Sequence, residues 1–284
     1  MNDHILPGCL PDLLGLRRLV GILEYDGTNY HGFQSQKNAR SIQDVLESAI
    51  FNLSGERLRI KGAGRTDAGV HANGQVVAFD TWSRYSPLVF LRGLNHYLPN
   101  DISVRDIQEV SLDFDPRRWA TSREYVYKII NRATPSPLLK GFAHHIRRPL
   151  DTLAMEKAAR HLEGERDFAP FSGPLSNGIV NTRRTVFKCS VSKIANIVLV
   201  NMIANSFLPQ QVRRTAGALL DVGLGKTNLD EFTYMVKYGK LGAATNVLPA
   251  KGLSLVKVSY PMILFSSEVT MDLQEHQILE AGVM

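Results

Sequence analysis

The sequence predicts an α/β (α+β) protein made of two similar, pseudo-symmetric subdomains, each with an antiparallel or mixed sheet flanked by helices. Three observations predict it. Apolar, β-prone runs alternate with segments of helical periodicity along most of the chain. The order in residues 1–112, β-α-β-β-α-β, is echoed with one additional helix in residues 113–261. The 284 residues, 44% apolar and 21% charged, suffice for one large domain or two smaller ones. Residues 262–284 have only partial periodicity and are set apart as a tail.

Residues 18–25 (RLVGILEY) read as a strand, and YDGTNYHGFQ at 25–34 supplies turn residues with aromatics. Ser41 opens a helix: S-I-Q-D resembles a capping box, Val45, Leu46, Ala49, Ile50 and Leu53 form the buried stripe, and Gly55 is the stop. Residues 57–62 (RLRIKG) alternate as a strand entering a glycine-rich loop, and 75–82 (QVVAFDTW) form the strand leaving it. Ser86 and Pro87 start a second helix carrying Val89, Leu91, Leu94 and Leu98. Residues 102–110 return as a strand. In the second half, 123–131 is a strand, and Asp151 caps a helix through Leu162 with Gly164 after it. Residues 185–194 and 197–205 form a hairpin turning near Ala195 and Asn196. A long helix from about 209 to 222 places Val212, Ala216, Leu219 and Leu220 on one side and ends at Gly223 and Gly225. A shorter helix covers 229–238, and 253–260 closes the half as a strand.

Composition excludes several classes. No apolar run is long enough to span a bilayer, and residues 1–16 lack the basic cluster and apolar run of a secretory signal. Cys9 and Cys189 stand far apart, which excludes a disulfide framework and a cysteine-based zinc site and fits a reducing cytoplasm. The net charge of +6 and pI near 9.3 suit a polyanionic partner. Arginine occurs in five adjacent pairs, at 17–18, 117–118, 147–148, 183–184 and 213–214. One such pair is usually solvated surface, but five separated by apolar elements suggest a basic track assembled by folding.

The chemistry concentrates in residues 62–74, GAGRTDAGVHANG. Four glycines surround Asp67, two positions after Arg65. Glycine allows close backbone approach to a ligand, and a carboxylate held there beside a guanidinium is a candidate nucleophile. A dinucleotide loop would need a third glycine where Asp67 stands and a helix afterwards; a P-loop would need Gly-Lys-Ser/Thr. Neither is present. No hydrolytic triad or metal-ligand spacing is evident: Cys189 lies mid-strand, His144 and His145 point to opposite strand faces, and His71 suits a structural role in the loop. A glycosidase would want a second carboxylate, for which Asp26 is the candidate, though Y-D-G suits a turn equally. Tyr125 and Tyr127 share one strand face among Arg123 and Lys128, a pattern that fits base stacking or plain strand packing.

These segments closely resemble the TruA-type tRNA pseudouridine synthases over roughly residues 18–261. The resemblance is carried by GAGRTDAGVHANGQVVAFD, with its specific R-T-D-A-G-V-H at 65–71, and by EYDGTNYHGFQ at 24–34. It continues in SIQDVLESAI at 41–50, LNHYLPNDISV at 94–104, FDPRRWATSREYVYKI at 114–129, ARHLEGERDFAPF at 159–171, NSFLPQQVRRTAGALLDVG at 205–223 and AKGLSLVKVSYP at 250–261. It implies an active-site cleft between the subdomains, with Asp67 from the first and Tyr125 and Arg213 from the second. Asp67 matches the catalytic aspartate, and Tyr125 the tyrosine that stacks on the target uracil and assists proton removal. Arg65 matches an arginine that helps displace the target nucleotide, and Arg213 a basic residue pairing with the catalytic carboxylate. Phe114, Asp115, Pro116, Arg117 and Arg118 match a tRNA-contacting stretch. The family implies no cofactor, no metal, a homodimer, and action on uridines 38–40 of the tRNA anticodon stem-loop. The chain departs from the family's common residues at Asp115 and Pro116, where His then Ala are frequent. It departs again at Pro209, Gln210 and Gln211, where basic or His and Met residues are frequent.

The chemistry expected is extrusion of the base, at a cost of a few kcal/mol, into a closed, dry pocket walled by Tyr125. An ionised Asp67, favoured by a guanidinium such as Arg213, then attacks C6 or C1′ or removes a ribose proton. Tyr125 or a water takes the C5 proton. Two other readings remain: an RNA or nucleoside N-glycosidase releasing uracil, and a non-catalytic tRNA-binding module.

Overall fold

The structure, a computed structural model, describes residues 15–175, 181–262 and 264–265. Cys9, most of residues 1–16 and nearly all of the tail lie outside the described residues. The first half comprises β1 (Arg17–Tyr25), α1 (Ile42–Ser54), β2 (Lys61–Gly62), β3 (His71–Thr81), α2 (Pro87–Tyr97) and β4 (Ile102–Val110). The second comprises β5 (Ser122–Asn131), β6 (His144–Ile146), α3 (Thr152–Arg160), β7 (Gly164–Asp167), β8 (Arg183–Ile194), β9 (Ile197–Ala204), α4 (Gln211–Gly223), α5 (Leu229–Tyr238) and β10 (Leu253–Ser259).

The two sheets expected from the sequence meet edge to edge as one mixed sheet, in the order β4-β1-β3-β10-β5-β9-β8-β7, with β2 on β3 and β6 on β5. The junction is made by the last strand. β10 runs antiparallel to β5 over most of its length but pairs in parallel with β3 only at Ser254↔His71 and Leu255↔Ala72. β1 takes one edge of β3 along its length, so β2 and β10 share the other edge. β2 pairs at Val77 and Ala78, β10 at His71 and Ala72. The sheet therefore forks along β3, and the glycine-rich segment leaves β2 at that fork. The halves also repeat each other: β4-β1-β3-β2 in the first corresponds to β10-β5-β9-β8 in the second.

Local chemistry fixes the helices. The Ser41 hydroxyl accepts from the Asp44 amide at 3.1 Å and donates to its carboxylate at 2.6 Å, and Gly55 ends α1 in the left-handed region at φ 76°. The buried face of α1 is Ile42, Gln43, Leu46, Ala49 and Ile50; Val45 and Leu53 are only partly covered. In α2 the buried residues are Phe90 and Leu94, with Leu98 just beyond, while Val89 is exposed, so the expected stripe is rotated by one residue. One hydrophobic cluster runs through both halves, from Leu19, Phe79 and Phe90 to Tyr127, Met202 and Leu219. Three expectations are corrected. Only Lys61–Gly62 of residues 57–62 pair as a strand. β3 begins at His71, four residues earlier than periodicity suggested, so Gly74 lies in a strand. Gly164 does not follow directly on a helix but opens β7, a strand the sequence reading missed.

Candidate active site

Between β2 and β3 the backbone is held from several directions. The Ala63 amide donates to the Val76 carbonyl at 2.8 Å, and the Gln75 side-chain amide donates to the Gly64 carbonyl at 2.9 Å. The Phe33 amide donates to the Thr66 carbonyl at 3.1 Å. The Thr66 hydroxyl meets the buried Tyr25 hydroxyl at 2.9 Å. Two glycines are required. A Cβ on Gly62 would stand 2.5 Å from the Phe33 ring, and Gly69 turns the chain at φ 76°. With the backbone and Thr66 tied down, the exposed side chains of Arg65 and Asp67 are those left to face a ligand. Both line a cleft of about 720 Å³ at the fork of the sheet.

The second half supplies the other wall. The Asp67 Oδ2 accepts from Arg213 Nη1 at 3.1 Å, and Arg213 is anchored through Nε to the Leu248 carbonyl at 2.8 Å. Tyr125, on β5 opposite Leu255, is 8% exposed and packs edge-to-face against Phe207, with centroids 5.0 Å apart. Burial pushes the Tyr125 phenol well above its ordinary range, and the nearby Tyr25 and Asp67 add to the rise. It remains a neutral phenol at physiological pH. Of the sequence-predicted residues, Asp67, Tyr125 and Arg65 thus line one cleft, and Arg213 joins them through its bond to Asp67. The Asp67 side chain is 42% exposed, so the cleft is open to water and not the closed, dry pocket expected.

The tRNA-contacting stretch divides. Phe114 is 1% exposed and packs edge-to-face against Trp119 and at a tilt against Tyr260, and Pro116 is buried, so neither offers a side chain to RNA. Asp115, Arg117 and Arg118 do line the cleft. The Asp115 carboxylate accepts from the Arg117 and Arg118 amides, each at 2.9 Å. Burial alone would raise its pKa, but those amides and the charge of Lys61 outweigh it and hold the carboxyl below the usual range. Neither Arg117 nor Arg118 has an ion-pair partner among the described residues.

The five arginine pairs do not build one track. Arg17, Arg18 and Arg183 are neutralised by Glu109, Asp80 and Glu165, and Arg148 reaches the Leu224 carbonyl. The basic lining comes instead from Lys61, Arg65, Arg117, Arg118 and Arg123, with Arg59, which pairs with Glu47 at 3.1 Å. Arg59 and Lys61 were overlooked because alternation made residues 57–62 look like an ordinary strand. Phe207 gave no periodic signal, lying in the loop before α4. Asp26 and His71 belong elsewhere, to a second cavity of about 280 Å³. There the Asp26 carboxylate stands 3.0 Å from the His71 ring, so it is not the partner carboxylate a glycosidase reading would place beside Asp67. Gln211, one of the departures from the family pattern, is 1% exposed and its side-chain oxygen accepts from the Leu208 amide at 2.8 Å. Gln210 enters α4 at φ 58° with no side-chain cap.

Comparisons with known proteins place the chain in a family. The profile of a family described as "tRNA pseudouridine synthase" matches residues 22–117 and 158–261. The chain is 40% identical over 245 residues to the "tRNA pseudouridine synthase A" of Acetivibrio thermocellus, covering 86% of this chain and 100% of the relative. It is 42% identical over 246 residues to that of Geotalea uraniireducens, with the same coverages. The protein of that name from Roseiflexus castenholzii is 42% identical over 249 residues, covering 87% of this chain and 92% of the relative. Among solved structures, an archaeal box H/ACA sRNP Nop10-Cbf5 complex is similar at a TM-score of 0.35 and 14% identity, covering 75% of this chain and 47% of that one. That likeness is too distant to bear on the fold.

Proposed function

This chain belongs to the tRNA pseudouridine synthase family and isomerises uridine to pseudouridine in tRNA, and from that premise we propose that Asp67 carries the chemistry. The observation that supports it most is the state of the cleft's carboxylates. Asp115 is engaged by two backbone amides, whereas Asp67 meets one guanidinium and is otherwise open to the space a nucleotide would fill.

The isomerisation balances within the substrate. The C1′–N1 bond breaks, a C1′–C5 bond forms, the C5 proton leaves and N1 takes one up. No oxidant or reductant is consumed. Asp67 acts on the ribose or the ring while Arg213 faces its carboxylate. Arg65 enters the space vacated as the target nucleotide leaves its stack. Tyr125 and Phe207 wall the detached uracil and keep it from escaping. Because the Tyr125 phenol holds its proton, the C5 proton goes to water, with the phenol as hydrogen-bonding relay. Arg117 and Arg118 take phosphates on the rim. The open cleft is closed by the tRNA itself, which excludes water on docking.

The reading extends to finer points. The targets are uridines 38–40 of the anticodon stem-loop, the enzyme works as a homodimer in the cytoplasm, and residues 1–112 and 113–261 act as two subdomains around the cleft. No described helix is long and apolar enough to cross a membrane. The test is product analysis of tRNA reacted with wild type and Asp67→Asn. A mass-neutral isomer at positions 38–40 from wild type alone is expected. Free uracil would mark an N-glycosidase, and equal product from the variant would remove Asp67 from its role.

A further inference from the structure

Arg123 lies two residues before Tyr125 on β5 and is 8% exposed. Its guanidinium meets no carboxylate among the described residues. Nη1 donates to the carbonyls of Ala120 at 3.2 Å and Asn205 at 2.7 Å. Nη2 donates to those of Ala63 at 3.0 Å and Arg117 at 2.7 Å. All four terminal N–H groups are committed to backbone oxygen, so this side chain does not grip RNA with them.

The four carbonyls come from the segments that compose the cleft. Ala63 is the first residue of the loop that carries Arg65 and Asp67. Arg117 and Ala120 belong to the turn presenting Arg117 and Arg118. Asn205 begins the connection that carries Phe207 onto Tyr125 and then enters α4, which bears Arg213. Packing alone would not call for such an arrangement. A buried cation without a counter-ion is costly until its hydrogen bonds offset the lost hydration. Apolar contacts could hold three segments together, but they fix spacing less sharply than a planar fork with defined donor directions.

Resting on the reading of Asp67 given above, we propose that Arg123 is a positioning residue of the isomerisation. It sets the spacing between the Asp67 loop, the Tyr125–Phe207 wall and the Arg117–Arg118 turn, which must all meet one extruded nucleotide. A shift of about 1 Å between such groups can cost a hundredfold in rate. Lysine keeps the charge but is a single point donor that cannot span these carbonyls.

The test compares wild type, Asp67→Asn, Arg123→Lys and Arg123→Gln for thermal unfolding, tRNA Kd and single-turnover tritium release from C5-labelled uridine at saturating tRNA. Arg123→Lys is expected to fold, to bind tRNA within about fivefold of wild type, and to lose about a hundredfold in single-turnover rate. Arg123→Gln should lose at least as much rate. The inference is overturned if folded Arg123→Lys turns over within threefold of wild type, or if its whole loss is in Kd. It is also overturned if neither variant folds, since Arg123 is then a stability element. If Asp67→Asn releases tritium at the wild-type rate, the underlying reading of Asp67 fails instead, whatever the Arg123 variants do.

Discussion

Asp67 and Asp26 are both first-half aspartates, similarly exposed at 42% and 33% of their side chains, and each lines a cavity beside a basic residue. Their hydrogen bonds set them apart. Asp26 Oδ1 accepts from the Thr28 amide at 2.9 Å and the Thr28 hydroxyl at 2.6 Å, and lies 3.0 Å from the His71 ring. It closes a local turn whose next amide, of Gly27, donates to His71 Nδ1 at 3.1 Å. Among the described residues Asp67 has one long-armed partner, drawn from 146 residues away, and no backbone amide. With Asp67 in its proposed role, exposure and a neighbouring charge do not distinguish a reactive carboxylate from a structural one. What distinguishes them is how many lone pairs the protein has already filled.

The sharpest way to break the comparison is Asp67→Asn. The substitution keeps size and removes the nucleophile or base, so tritium release should fall by at least about 10⁴-fold with little change in melting temperature, at the scale seen when a sole catalytic group is lost. A loss below tenfold would leave Asp67 no more catalytic than Asp26.

Next in size is Tyr125→Phe, which keeps the edge-to-face contact with Phe207 and removes the hydroxyl. A loss of about a hundredfold is expected, the lower end for proton-transfer assistance. Because burial raises the phenol's pKa and keeps it protonated, the wild-type rate should not climb between pH 8 and 10, as it would if phenolate were the base. A rise confined to wild type would assign the C5 proton to Tyr125. The same shift has a stability sign. The folded state keeps this proton after the unfolded chain has lost it, so its contribution is intact below about pH 10 and fades above it.

Smaller still are Arg117→Ala and Arg118→Ala. Each should weaken tRNA binding up to about tenfold at low salt and lower the slope of log K against log salt by about one, with the single-turnover rate nearly unchanged. An unchanged slope would mean that the cleft's unpaired cations do not meet phosphate.

The contrast between the two aspartates was only half legible in the sequence. Asp67 was legible because glycines, Arg65 and flanking strands compress a rigid loop and its carboxylate into a few consecutive residues. The helix starts at Ser41 and Ser86 were legible for the same reason, since a cap is local. Asp26 stayed ambiguous because its partner His71 is 45 positions away, and sequence does not show which lone pairs long-range contacts will fill. The merging of two sheets through β10 was likewise invisible, since it rests on a two-residue parallel pairing across the length of the chain. Arg123 escaped notice because its partners are carbonyls, which every residue carries. The burial of Phe114 was not legible either, because a motif match says which residues recur and not which way they face.

The least disruptive change should be Asp26→Ala, and it sharpens the comparison most directly. It removes the acceptor for the Thr28 amide and hydroxyl and leaves the Gly27–His71 bond in place. Losing one side-chain cap of this kind costs about 1 kcal/mol, which for a chain of this size lowers the melting temperature by about 2–4 °C. The loop carrying Arg65 and Asp67 keeps anchors at Val76, Gln75, Phe33 and Tyr25, none of which passes through Asp26. Tritium release at saturating tRNA should therefore stay within about threefold of wild type, since groups without shared partners act additively. A tenfold loss in a variant that melts near the wild-type temperature would mean that His71 transmits the state of the second cavity to the loop four residues before it. The two carboxylates would then belong to one coupled site, and the count of filled lone pairs would no longer separate them.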